Sequence, residues 1–135
     1  MPSNMKTILF TTFLLFSVNV FAQNWVQVSK NIEGDVFYVD TDNVKTHNGF
    51  VYYWELSDFL EPYKGASSII AKYKVDCAEE KTKRLTTLAY SQAMGKGREI
   101  SEERGDSNDF YYPKPNTVGY HTMHRVCTVE LFRKK

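Results

Sequence analysis

Two neighbouring runs of alternating character, "GFVYYWELSDF" (residues 49–59) and "SSIIAKYKVDC" (residues 67–77), set the terms on which this chain can fold. In the first, Val51, Tyr53 and Glu55 fall on one side, and Phe50, Tyr52, Trp54 and Leu56 on the other. In the second, Ala71, Tyr73, Val75 and Cys77 oppose Ile70, Lys72, Lys74 and Asp76. A period of two is the pattern of a strand, whose successive side chains point to opposite faces of a sheet. Shorter runs of the same kind are "NWVQVSK" (24–30), "DVFYVD" (35–40), "RLTTLAYSQ" (84–92) and "GREIS" (97–101), bounded by Gly, Asn and Asp. Their spacing of about ten residues favours an antiparallel meander, because parallel pairing needs a crossover of a dozen or more. In that meander "CAEEKTKR" is a charged hairpin turn between the fourth and fifth strands, and "DTDNVKTH" is a short helical turn capped by Asp40 or Thr41.

The character changes near the C-terminus. "EERGDSNDFYYPKPN" (102–116) is polar, punctuated by proline and aperiodic, so it reads as a long connection. Asn116 then offers a cap for a helix over "TVGYHTMHRVC", in which Tyr120, Met123 and Cys127 share one stripe at i, i+3 and i+7. "TVELFRKK" (128–135) alternates, and reads as either a last strand or a tail. A helix following a set of antiparallel strands gives the α+β class: a sheet of about five or six strands with one C-terminal helix on one face.

The meaning of the two cysteines depends on compartment. Residues 1–22, "MPSNMKTILFTTFLLFSVNVFA", place Lys6 before an apolar run from Ile8 to Phe21 and end in Val20-Phe21-Ala22. This is the build of a secretory signal peptide cleaved before Gln23, whether translation starts at Met1 or Met5. The apolar run falls short of the roughly 20 residues of a membrane span. No cysteine follows the cleavage point, so the expectation is export to the periplasm, cell surface or medium without a lipid anchor. Residues 23–135 remain, one domain's worth of chain. Lys6 leaves with the signal, so 16 basic residues face 16 acidic ones. That balance gives no electrostatic footprint for nucleic acid or anionic lipid.

In an exported domain an even cysteine count reads as a bridge, here between Cys77 and Cys127. Closing a loop of about 50 residues removes roughly 4 kcal/mol of unfolded-state entropy. The bridge would pin the C-terminal helix onto the sheet. A redox pair would need a C-x-x-C, and a structural zinc site four clustered ligands; neither pattern is present.

Searches for catalysis return little. The chain has no G-x-S-x-G, Walker loop or H-E-x-x-H, and "DTDN" lacks the glycine and glutamate that complete a calcium loop. Glu79-Glu80 and Glu102-Glu103 read as solvated turns. His121-x-x-His124 reads as two surface imidazoles, with a metal or haem site as the alternative. Tyr52 and Trp54 read as core aromatics; left partly exposed, they would make a contact surface. The cations Lys81, Lys83 and Arg84, within four residues beside strand edges, are the candidate partner-binding residues. The expectation is a non-enzymatic domain with no cofactor and a protein partner.

The ordered set Trp25-Val26, "FYVDTDNV", "GFVYYWELSDF", "SSIIAKYKVDC", "RLTTLAYSQAMGKG" and "PNTVGYHTMHRVC" resembles the surface-adhesin protein E family of bacterial exported proteins. The resemblance runs over residues 25–127. It implies an antiparallel sheet with a C-terminal helix tethered through Cys77 and Cys127, and an envelope location in a Gram-negative bacterium. It also implies an adhesin-like binding module for host extracellular or envelope proteins. The alternative is a periplasmic carrier of haem or a metal held by His121 or His124.

Overall fold

The computed structural model describes residues 23–105 and 109–133, so the signal-peptide reading of residues 1–22 lies outside the described residues. Seven strands build one antiparallel sheet: β1 (Trp25–Lys30), β2 (Val36–Asp40), β3 (Lys45–His47), β4 (Phe50–Tyr63), β5 (Ala66–Asp76), β6 (Lys81–Tyr90) and β7 (Glu99–Arg104). The order across the sheet is β1-β2-β4-β5-β6-β7. β3 lies off that path and pairs with β4. One helix, α1 (Val118–Arg133), follows. The α+β reading holds, with one strand more than the alternation indicated.

The extra strand comes from "DTDNVKTHNGF". Thr41–Asn43 make a single 3-10 turn after β2, and Asp40 makes no capping hydrogen bond to it. The Asp40 carboxylate accepts instead from the Asn24 backbone N–H at 3.2 Å and from the Asn43 side-chain amide at 2.7 Å. The chain then pairs as β3 and reverses at Asn48-Gly49, whose φ values of 51° and 83° are the left-handed pair a tight hairpin requires. Thus β2 pairs with Glu55–Asp58 of β4, and β3 with Phe50–Tyr52 on the same side.

Register separates the two faces. Val51 opposes Val75, Tyr53 opposes Tyr73, and Glu55 opposes both Val39 and Ala71. This is the face the helix covers: Val39, Val44, Val51, Tyr53 and Val75 form one buried cluster with Met123 and Val126 of α1. Tyr52, Trp54 and Phe50 point the other way, where Tyr52 opposes Lys74 and Trp54 opposes Lys72. At one end of that second face, the β6–β7 connection folds over Leu56 and Ile70. A Cβ on Gly95 would stand 2.7 Å from Ile70 Cδ1, and its φ is +69°, so this close cover depends on glycine.

Three details of the C-terminal region differ from the sequence reading. Asn116 takes a φ of 67° outside the helix, and the cap is Thr117, whose hydroxyl accepts the Tyr120 N–H at 3.2 Å. Residues 128–133 are neither strand nor tail but the last turns of α1. The buried stripe of Thr122, Met123 and Val126 continues to Glu130, which is hydrogen-bonded to the Thr46 hydroxyl of β3. The connection before the helix is not structureless either. Tyr111 exchanges both backbone hydrogen bonds with Thr82 at 2.9 Å, closing the part of the β6 edge that β7 leaves bare.

Cys77 follows the last residue of β5 and is bonded to Cys127 of α1, with Cα atoms 5.8 Å apart across 50 residues. Cys127→Ser is expected to lower unfolding free energy by about 2–5 kcal/mol in denaturant titration. A change below about 0.5 kcal/mol would mean that packing alone holds the helix.

Candidate binding face and the buried acid behind it

The half of the second sheet face that lies clear of the β6–β7 turn carries rings and ammonium groups in alternation. Tyr52, Trp54, Phe50, Lys72 and Lys74 are all partly exposed. The reading of Tyr52 and Trp54 as core is therefore corrected: the core tyrosine of β4 is Tyr53, and its two neighbours face away from the helix. Alternation could not say which side the C-terminal helix would choose. Lys72 Nζ stands 5.6 Å from the Trp54 ring centre and 5.9 Å from that of Tyr52. Lys74 Nζ is 4.1 Å from Phe50 and 6.0 Å from Phe110, which itself stacks on Phe50. At these distances each ammonium is attracted by the negative face of a ring. The rings thereby hold the cations in place.

Lys45 of β3 joins this group, because it pairs directly with Tyr52. A groove of about 290 Å³ opens there; its lining includes Lys45, Tyr52, Tyr53, Trp54, Lys72 and Asn43. Lys45 escaped the sequence reading, although Asn48-Gly49 is a hairpin signal that locates it. Among the described residues, none of Lys45, Lys72 and Lys74 forms an ion pair.

Of the candidate trio, Lys81 and Lys83 share one face of β6 and Arg84 takes the other, although Lys83 and Arg84 both line a cavity of about 370 Å³ with Tyr73, Asp109 and Tyr111. The turn closes over Cys77–Glu80, and Lys81 is the first paired residue of β6, opposite Asp76. Lys81 is bound to Glu79 at 2.7 Å, and that hydrogen bond pushes its pKa up. Lys83 pairs with Lys74, on the open face, whereas Arg84 pairs with Tyr73, on the helix side. Adjacent residues of a strand point to opposite faces, which sequence proximity conceals.

Arg84 belongs to a polar cluster behind the sheet. Glu55 is 8% exposed there, beneath α1. Burial raises its pKa from 4.5 to about 7, opposed by a hydrogen bond with Thr122 and by the charge of Arg84. Tyr73, Tyr53 and Tyr111 surround it; burial raises all three phenols, and Tyr53 stacks on Tyr73 at 5.3 Å.

His121 and His124 lie on the exposed side of α1. His124 contacts Glu80 at 3.1 Å, and its ring lies 4.4 Å from Tyr120. The space it shares with Cys77, Met123 and Cys127 is about 30 Å³, the share of one water. Among the described residues, no three His, Cys, Asp or Glu side chains converge on a metal position. Nor is any described helix long and apolar enough to cross a membrane.

An antiparallel sheet roofed on one side by a bridged C-terminal helix, with its other side set with rings and lysines, defines a small disulfide-pinned α+β protein. The family profile of surface-adhesin protein E matches residues 25–128, and the chain belongs to that family. Solved structures of protein E from Haemophilus influenzae are similar in fold. Crystal form II matches with a TM-score of 0.57 at 16% identity, over 82% of this chain and 92% of that one. A second structure of the same protein gives 0.56 at 16% identity, over 82% and 89%. A third, from a non-typeable strain, gives 0.52 at 16% identity, over 82% and 80%. A search of curated proteins returns no match.

Glu55 generates a pH prediction. A carboxyl whose pKa is raised by folding holds its proton more tightly in the folded state. Its contribution is intact below about pH 4.5 and is lost as pH rises through about 7. Glu55→Gln is expected to leave stability nearly unchanged at low pH and to raise it by up to about 3 kcal/mol above neutrality. Parallel stability–pH curves for the variant and the parent chain would contradict this.

Proposed function

We propose that this chain is an exported, non-enzymatic binding module of the adhesin type, whose contact surface is the open sheet face around Tyr52, Trp54, Lys72 and Lys74. The observation that carries the reading is this set of half-exposed rings with cations seated on them, on a face the helix leaves uncovered. Aromatic residues supply rigid apolar contact area, and positive charge guides an acidic partner onto it. Membership in a family named for a surface adhesin supports the same reading, and the partner class is an extracellular or envelope protein. The signal-like N-terminus supports export.

The carrier alternative would place haem or a metal at His121 or His124. The interface beside His124 is filled to within one water's volume, which favours the binding module. Lys81, Lys83 and Arg84 are replaced as the leading candidates by Lys72 and Lys74, with Lys83 at the margin of the same face.

Lys74→Glu tests the surface without unfolding it, because the new carboxylate would stand opposite Lys83. The mature chain is expected to bind at least one of a panel of immobilised extracellular-matrix proteins. The variant should bind that protein about tenfold more weakly, chiefly through slower association. A variant that associates at the parental rate in low salt would remove this face from consideration.

A further inference from the structure

The groove at the β3–β4–β5 end of the open face has a chemical character of its own. Its lining combines the aromatic residues Tyr52 and Trp54, the lysines Lys45 and Lys72, and the amide-bearing residues Gln23 and Asn43. Asp40 also lines it, but the residue is 1% exposed and its carboxylate already accepts from the Asn24 N–H and the Asn43 amide. The repulsion an anion would meet there is therefore reduced by two donors.

We propose that this groove binds an acidic saccharide. A pyranose ring would pack its C–H face on Trp54 or Tyr52, its carboxylate or sulfate would sit against Lys45 and Lys72, and its hydroxyls would bond to Gln23 and Asn43. The inference rests on the binding-module reading, and it names the chemistry of what is bound: glycan carried by an extracellular partner.

Four observations favour a glycan over other polyanions. The groove lies where β2 gives way to β3 along β4: β2 pairs with Glu55–Asp58 and β3 with Phe50–Tyr52, so only Tyr53 and Trp54 separate the two ladders. An acidic peptide gains most of its affinity by pairing along several residues of a sheet edge, and an interval of two residues is too short for that. Side-chain amides beside rings match a ligand with both hydroxyls and flat apolar faces. The volume of about 290 Å³ lies at the small end of ligand pockets and suits one or two sugar units. A bilayer would call for rings that project beyond their surroundings, whereas Tyr52 and Trp54 are half-buried, with Lys72 seated over both.

The test uses the mature, disulfide-intact chain and a heparin-derived tetrasaccharide as probe, followed by calorimetry and tryptophan fluorescence. The expected result is saturable binding that perturbs tryptophan emission, is weakened by salt, and is absent for the fully desulfated and carboxyl-reduced tetrasaccharide. Lys45→Gln with Lys72→Gln should weaken it at least about tenfold, while Lys64→Gln at the β4–β5 turn leaves it unchanged. If the double variant is poorly folded, Lys45→Gln alone, at an exposed position, carries the same test.

Equal binding by the double variant, or equal binding of the neutral tetrasaccharide, would overturn the proposal. So would preferential binding to polyglutamate or to phosphatidylglycerol vesicles. If no saccharide binds but Lys74→Glu still loses the matrix protein, only the glycan assignment falls. If Lys74→Glu also binds that protein normally, the binding-face reading falls with it.

Discussion

The bridge between Cys77 and Cys127 is the constraint on which the rest of the molecule depends. One helix of 16 residues cannot cover both faces of a seven-stranded sheet, so it must be committed to one. Cys77 lies just past the end of β5, in phase with Tyr73 and Val75, and the bond from that position draws α1 onto their side. Met123 and Val126 complete the core there, and Thr46–Glu130 fastens the far end. Every other placement follows from that choice. Tyr53 becomes core, Glu55 is buried beneath the helix, and Tyr52 and Trp54 are left facing solvent.

The two faces of the sheet thus carry opposite duties. Behind the sheet, burial opposes charge, so Glu55 is driven toward its neutral form even with Arg84 near it. In front, the charges stay hydrated on one side and rest on ring faces on the other, so Lys72 and Lys74 remain available to a partner. The structures of Haemophilus influenzae protein E share the fold at 16% identity. Similarity at that distance speaks for the scaffold; the ring-and-lysine face is argued from this chain's own residues.

Much of this was legible in the sequence. The alternation of residues 49–59 and 67–77 gave the central strands and their two sides, and the even cysteine count in a chain with a signal-like start gave the bridge. Other features were hidden for identifiable reasons. β3 is only three residues long and announces itself through Asn48-Gly49 rather than through alternation. The last turns of α1 include Glu130, a polar residue on the buried stripe, which breaks the apolar periodicity because its partner is Thr46, 84 residues away in sequence. Sequence distance ignores the strand pleat, which sends Arg84 to the face opposite Lys81 and Lys83. Most consequentially, period-two patterning names two faces without saying which is covered, so it cannot tell the partly exposed Tyr52 and Trp54 from core residues.

The central claim is that the uncovered face is the one that meets a partner. Hydroxyl-radical footprinting of the free chain and of the chain with its bound partner tests it directly. The account predicts protection of Tyr52, Trp54 and Phe110 on binding, with Tyr53 and Met123 unreactive in both states. Protection confined to the outer side of α1, at His121 and His124, with Tyr52 and Trp54 as reactive as in the free chain, would contradict it.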